Sequence, residues 1–175
     1  MKNDNEEKML LTATSAVVLK GEYACHECEC IVPVFAAMLV GPFQGESPMP
    51  LESDDDSALL SRLRELPSDL ADALTLASKG NYRPDSSKTV ADTYWMNHCQ
   101  ECGAKIGDWF VNKPGEAFFP TTEEERLKLI GNLVNGPLSF TDPDVAVSSW
   151  TSAWLQFRFE GLVEGGQRSL GKCSE

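Results

Sequence analysis

The stretch Asn97-His98-Cys99-Gln100-Glu101-Cys102-Gly103-Ala104 decides how this chain is read. A Cys-x-x-Cys turn folds two thiolates into one tight loop whose backbone N–H groups point at sulfur. Gly103, directly after it, occupies a position that favours a left-handed backbone. A matching half, Cys25-His26-Glu27-Cys28, lies about seventy residues earlier. Two such turns facing each other form the four-thiolate cage that Zn2+ favours, so one structural Zn2+ is predicted on Cys25, Cys28, Cys99 and Cys102. The competing reading, cysteines as small buried hydrophobes, does not explain why four of the six fall in two such pairs. His26, His98 and Cys30 lie beside these ligands and are candidate substitutes, but four thiolates already complete a tetrahedron.

Outward from the two turns, each is flanked by β-type sequence. Residues 11–20 are rich in Thr and Val with loose alternation, and residues 31–40 read as the return strand, with Pro33 marking an edge or bulge. Residues 41–56 hold prolines and an Asp run, the composition of a loop. In residues 57–66, Leu59, Leu60, Leu63 and Leu66 recur at helical spacing, and Pro67 ends that segment. Ser68 is placed to cap a second helix over 69–78, closed by Lys79-Gly80-Asn81. Residues 82–88 read as an exposed polar loop, 89–97 as a strand into the second turn, and 105–112 as its return strand.

Further on, Thr122 and Glu125 form a capping box that opens a helix running to about Ile130 or Val134, where Gly136-Pro137 breaks it. Thr141-Asp142-Pro143-Asp144 opens another, with Val147, Trp150, Trp154 and Phe157 at helical spacing; a strand over 153–159 competes. Residues 165–175 read as a disordered tail carrying a free Cys173. The four tryptophans, Trp95, Trp109, Trp150 and Trp154, are either core or an exposed recognition surface, and core is the commoner role. The expected fold is α+β: a split four-cysteine zinc ribbon of antiparallel strands, with a helical insert between the knuckles and C-terminal helices. A single domain spans 1–175, with the ribbon at about 11–40 and 82–112, the insert at about 53–80 and the C-terminal helical part at about 120–163.

Charge narrows the function classes. With 27 acidic against 15 basic residues the formal net charge is −12, and a tetrathiolate zinc centre adds about −2 more. Such a chain lacks the basic surplus that phosphate contacts need and is steered toward basic partners, away from DNA and anionic membrane. An apolar fraction of 42% is that of a globular chain. No secretory apolar segment follows the acidic N-terminus and no run of about 18 apolar residues occurs, so a cytoplasmic protein with reduced cysteines is expected.

The residues Tyr94-Trp95-Met96-Asn97-His98-Cys99, then Cys102-Gly103-Ala104 and Gly107-Asp108, resemble the second knuckle of a loose set of little-characterised bacterial and phage split zinc-ribbon proteins. The resemblance covers about a third of the chain. It implies the metal ligands and a split ribbon, and no particular reaction.

Catalytic patterns are missing. A zinc deaminase needs a free Glu after a His ligand and a different Cys spacing, and a catalytic zinc keeps an open position that four cysteines close. No phosphate-binding Gly-rich loop, His-Glu-x-x-His or Gly-x-Ser-x-Gly occurs. The reading is therefore a non-enzymatic, zinc-stabilised protein-binding module, most concretely an acidic immunity protein or inhibitor that blocks a basic, nuclease-type toxin. Asp54, Asp55, Asp56, Glu123, Glu124 and Glu125 are its candidate contacts. The alternative is a nucleic-acid-associated zinc ribbon serving a phage or plasmid replication enzyme, through a local basic patch around Arg83, Lys88, Lys105 and Lys113.

Overall fold

A computed structural model describes residues 9–46 and 57–158. Eight strands and four helices follow in order: β1 (Leu10–Ala24), β2 (Ile31–Glu46), β3 (Ser57–Ser61), α1 (Ser68–Ser78), β4 (Tyr82–Ser87), β5 (Asp92–His98), β6 (Lys105–Ile106), α2 (Asp108–Val111), α3 (Glu123–Lys128), β7 (Ile130–Thr141), β8 (Asp144–Ala146) and α4 (Ser149–Arg158). The architecture is mixed α+β. A five-stranded antiparallel sheet has the order β7-β1-β2-β3-β8, and a three-stranded antiparallel sheet has the order β4-β5-β6.

The large sheet is apolar on both faces, which is why its central strands read as near-continuous buried runs. One face carries Val17, Leu19, Val34, Met38 and Leu59 and packs on Trp150, Trp154, Phe118 and Ile106, with Cys25 and Cys99 at its margin. The other carries Val18, Phe35, Ala37, Leu39 and Leu60 and packs on Leu70 and Leu74 of α1, Leu63 and Tyr82. The two-residue period of β1 is interrupted once, where pairing skips from Ala13 to Ser15. Before the skip, odd-numbered Leu11 and Ala13 face the α1 core; after it, even-numbered Ala16 and Val18 do. Across this skip β1 has one residue, Thr14, where each neighbour has two, so β2 and β7 each carry the extra residue of a bulge opposite Thr14. Both neighbours carry a Gly-Pro pair at the same line: Gly41-Pro42 in β2 and Gly136-Pro137 in β7 fall between the paired positions. Proline has no N–H to leave unpaired, and Gly41 and Gly136 have φ of +76° and +140°.

Several sequence expectations are corrected. Residues 57–66 do not form a helix: 57–61 are strand β3, held between β2 and β8, with Leu59 facing one core and Leu60 the other. Among the described residues the insert therefore holds β3 and one helix, α1. Ser68 is the first residue of α1, whose N-cap is Pro67 with no side-chain cap bond; Lys79, in a left-handed conformation, closes it. Residues 82–87, read as a loop, pair with β5 as strand β4 despite Pro84. The return strand after the second turn is only Lys105–Ile106, and α2 follows at once.

The capping box at Thr122 forms as expected, Thr122 accepting from the Glu125 N–H. Its helix ends at Lys128, however, and 130–141 form β7, so the C-terminal part is not purely helical. Residues 144–146 are β8, and Trp150 and Trp154 lie on α4 rather than on the competing strand. Asp54, Asp55, Asp56 and the tail with Cys173 lie outside the described residues. No helix among the described residues is long and apolar enough to cross a membrane.

Candidate metal centre

Each Cys-x-x-Cys pair sits at the tip of a hairpin, the first between β1 and β2, the second between β5 and β6. The backbone builds the same turn twice. Cys25 N–H donates to the Cys30 carbonyl and Glu29 N–H to that of Cys25; Cys99 N–H donates to Ala104 and Gly103 N–H to Cys99, all at 2.8–2.9 Å. The residue after each pair has positive φ, +61° at Glu29 and +76° at Gly103. Glycine takes that conformation without strain; Glu29 does not.

The two tips meet. All four Sγ atoms of Cys25, Cys28, Cys99 and Cys102 lie within 4.8 Å of one another. Cys25 to Cys102 and Cys28 to Cys99 are both 3.7 Å. A disulfide is about 2.05 Å, so these are not bonds. Sulfurs on a tetrahedron about 2.3 Å from a central ion stand about 3.8 Å apart, which these two pairs match while all four stay within 4.8 Å. The four cysteines are therefore placed to hold a metal ion. Cys25 and Cys99 are buried, Cys28 is half-buried and Cys102 is exposed. Burial pushes the Cys99 thiol up, but the Cys102 and Glu101 N–H groups aimed at its sulfur bring it down to about 7. At Cys28 the Cys30 N–H favours the thiolate, while desolvation and the neighbouring thiols prevail and push it well up. Four thiols at these distances cannot all ionise alone; a divalent cation removes that conflict.

Neither histidine belongs to the cluster. The His26 ring stacks on Phe110, 4.4 Å between centroids and 6° between planes. His98 is buried, with Nε2 3.0 Å from Asp85 Oδ2 and Nδ1 3.3 Å from the Asn81 carbonyl. Lys105 Nζ donates to Asp85 Oδ1 at 2.7 Å, and it and His98 hold that carboxyl well below the usual carboxylate range. The chain beside the ligands thus ties β4 to β5 and β6. Cys30 is a free, exposed thiol outside the cluster.

Asn97 ties the second hairpin to the first. Its side chain accepts from the Phe35 N–H at 2.7 Å and donates to the Phe35 carbonyl at 2.9 Å, both buried. Strand β3 pairs with β2 only from Ala37 onward, so Asn97 takes the next position along the β2 edge. Sequence reasoning placed Asn97 within the knuckle pattern but gave it no task; a polar residue at a β5 position flanked by apolar Met96 was the available signal. Gly107 has a local reason too: a Cβ there would stand 2.8 Å from the Tyr94 hydroxyl.

Of the candidate partner contacts, Glu123 and Glu124 are exposed on α3, facing Arg126 at 3.9 Å and Lys128 at 3.3 Å. Glu125 turns back, accepting from the Thr121 and Thr122 N–H groups. Among the cations of the suggested basic patch, Lys105 is paired with Asp85, Arg83 donates to the Gly80 carbonyl, and Lys113 lies over aromatic rings. Trp150 and Trp154 are buried, but Trp109 on α2 is 75% exposed, against the core role expected of it. Comparison with protein-family models, curated proteins and solved structures finds no match for this chain.

Proposed function

We propose that this chain is a non-enzymatic protein-binding module stiffened by one structural Zn2+ on Cys25, Cys28, Cys99 and Cys102, built as a split zinc ribbon. Its partner is a basic protein, and the concrete form is an inhibitor or immunity protein covering a nuclease-type toxin. The observation that carries this reading is the set of four clustered sulfurs, which as four thiolate ligands would leave no position for substrate or water. The formal charge of −12 supports a cationic partner, since long-range attraction speeds encounter and like charge rejects wrong partners. Exposed Glu123 and Glu124 remain candidate contacts on α3, and Asp54, Asp55 and Asp56 on the chain between β2 and β3.

The test has two readouts. Metal analysis of the purified chain should give one zinc, and Cys99→Ser should lower both zinc content and melting temperature. Capture from the source cell should return a basic protein whose association rate falls steeply from low to physiological salt. An acidic partner, or a rate indifferent to salt, overturns the charge argument; full zinc retention in Cys99→Ser overturns the ligand set.

A further inference from the structure

Beside the cysteine cluster the chain exposes an aromatic pile. His26, from the first turn, stacks on Phe110 of α2. Lys113 Nζ lies 5.3 Å from the Phe110 centroid and 5.2 Å from that of Trp109. The Trp109 ring is left 75% exposed, and Ile31, where β2 leaves the first turn, is 70% exposed. A large ring in water is unusual when the other tryptophans are buried or half-buried. The two turns also carry Glu27, Glu29 and Glu101, all exposed. A tetrathiolate zinc centre beneath them adds about −2.

We infer that this end of the molecule is the docking surface for the basic partner, with Trp109 as anchor, and that a partner arginine or lysine takes the position over Trp109 and Phe110 that Lys113 holds in the free chain. The inference rests on the basic-partner reading above and gives it a place. Lys113 itself shows which chemistry the rings accept: their electron-rich faces already hold an ammonium group. Arginine suits the place better than lysine, because its planar guanidinium stacks on a ring while its N–H groups stay free for carboxylates. Complementary charge selects the same partner. Glu27, Glu29 and Glu101 attract a cationic loop and repel a phosphate backbone, so an aromatic platform that could stack bases elsewhere is unsuited to nucleic acid here. The hairpin tips are braced by Asn97 and by the cysteine cluster, so little ordering is required on binding.

The experiment uses the full-length zinc-loaded chain and a fluorescently labelled, end-capped hexa-arginine peptide, followed by anisotropy at low salt. Trp109→Ala leaves the net charge unchanged, so it separates this surface from general electrostatics. Trp109→Ala should weaken binding about fivefold, and Lys113→Met, which vacates the rings, should tighten it about threefold. Equal binding by wild type and Trp109→Ala overturns the surface and leaves the basic-partner reading standing. No hexa-arginine binding at low salt overturns that reading, and this surface with it. Preferential, Trp109-dependent binding of a labelled dT oligonucleotide overturns the inference in favour of single-stranded nucleic acid.

Discussion

Asn97 offers the sharpest test of how the two cysteine turns are brought together. Asn97→Ala removes an acceptor and a donor at once, and the groups they served, the Phe35 N–H and carbonyl, are buried beyond the end of β3. Each buried backbone group left unpaired costs about 1–3 kcal/mol, so the substitution should destabilise by about 2–5 kcal/mol. For a chain of this length a kilocalorie moves the melting temperature by about 2–4 °C, and a mid-range loss of about 3 kcal/mol lowers it by about 6–12 °C. Asn97→Asp keeps the shape but sets a carboxylate oxygen against the Phe35 carbonyl, so it should fare no better at neutral pH. The assays are thermal unfolding, zinc affinity by chelator competition, and hydrogen exchange at the Phe35 amide. Stability, affinity and exchange should all be affected, because the same bonds hold Cys99 and Cys102 opposite Cys25 and Cys28. A variant that melts within about 2 °C of wild type with the Phe35 amide still protected would refute the reasoning.

Other substitutions report on separate features. At Gly131 a Cβ would stand 2.3 Å from Trp154 Cη2 and 2.7 Å from Val17 Cγ1, so Gly131→Ala should destabilise by at least about 1–3 kcal/mol in urea unfolding; a neutral result would contradict the packing of α4 on β7. Gly103→Ala should cost about 1 kcal/mol for its positive φ, whereas Glu29→Gly, at the equivalent position of the first turn, should be neutral or stabilising. Burial pushes the Asp108 carboxyl up to about 6, although the Arg62 N–H donates to it at 2.7 Å. The folded state then holds this proton more tightly than the unfolded chain does, so Asp108 makes stability fall as pH rises from about 4 to about 6. Asp108→Asn, which still accepts from Arg62, should remove that component from the pH profile; a profile identical to wild type refutes it.

The parts legible in the sequence are those fixed locally. The Cys-x-x-Cys turns, the β1–β2 hairpin, α1 and the capping box at Thr122 each follow from neighbours in the chain. The misread parts are set by tertiary partners. Leu59, Leu60 and Leu63 fit a helical period, yet a short strand buried on both faces between β2 and β8 has the same run of apolar residues, and periodicity does not separate the two. Strand β4, with Arg83, Pro84, Asp85 and Ser86, has little β preference of its own; pairing with β5 and the Lys105–Asp85–His98 contacts supply what its residues lack. Gly136-Pro137 and Gly41-Pro42 signal chain breaks correctly, but each break is absorbed within its strand as a bulge opposite Thr14. Of the centre itself, the four clustered cysteines were legible and the brace was not: nothing local to Asn97 indicates that its partner is the backbone of Phe35, 62 residues away.

That shared line has a consequence for how the sheet assembles. An antiparallel pair can slide by two residues and keep every side chain on its proper face, so face alternation alone leaves neighbouring alignments close in energy. Here such a slide carries Thr14 off the Gly-Pro pairs and moves Pro42 and Pro137 to positions where the ladder needs an N–H. The two bulges act as detents. The one in β2 seats opposite Thr14 as the hairpin closes, and the one in β7 seats on the other side when that later strand arrives. Strand β7 carries no charged side chain to steer it; it docks in one alignment because only one seats its proline.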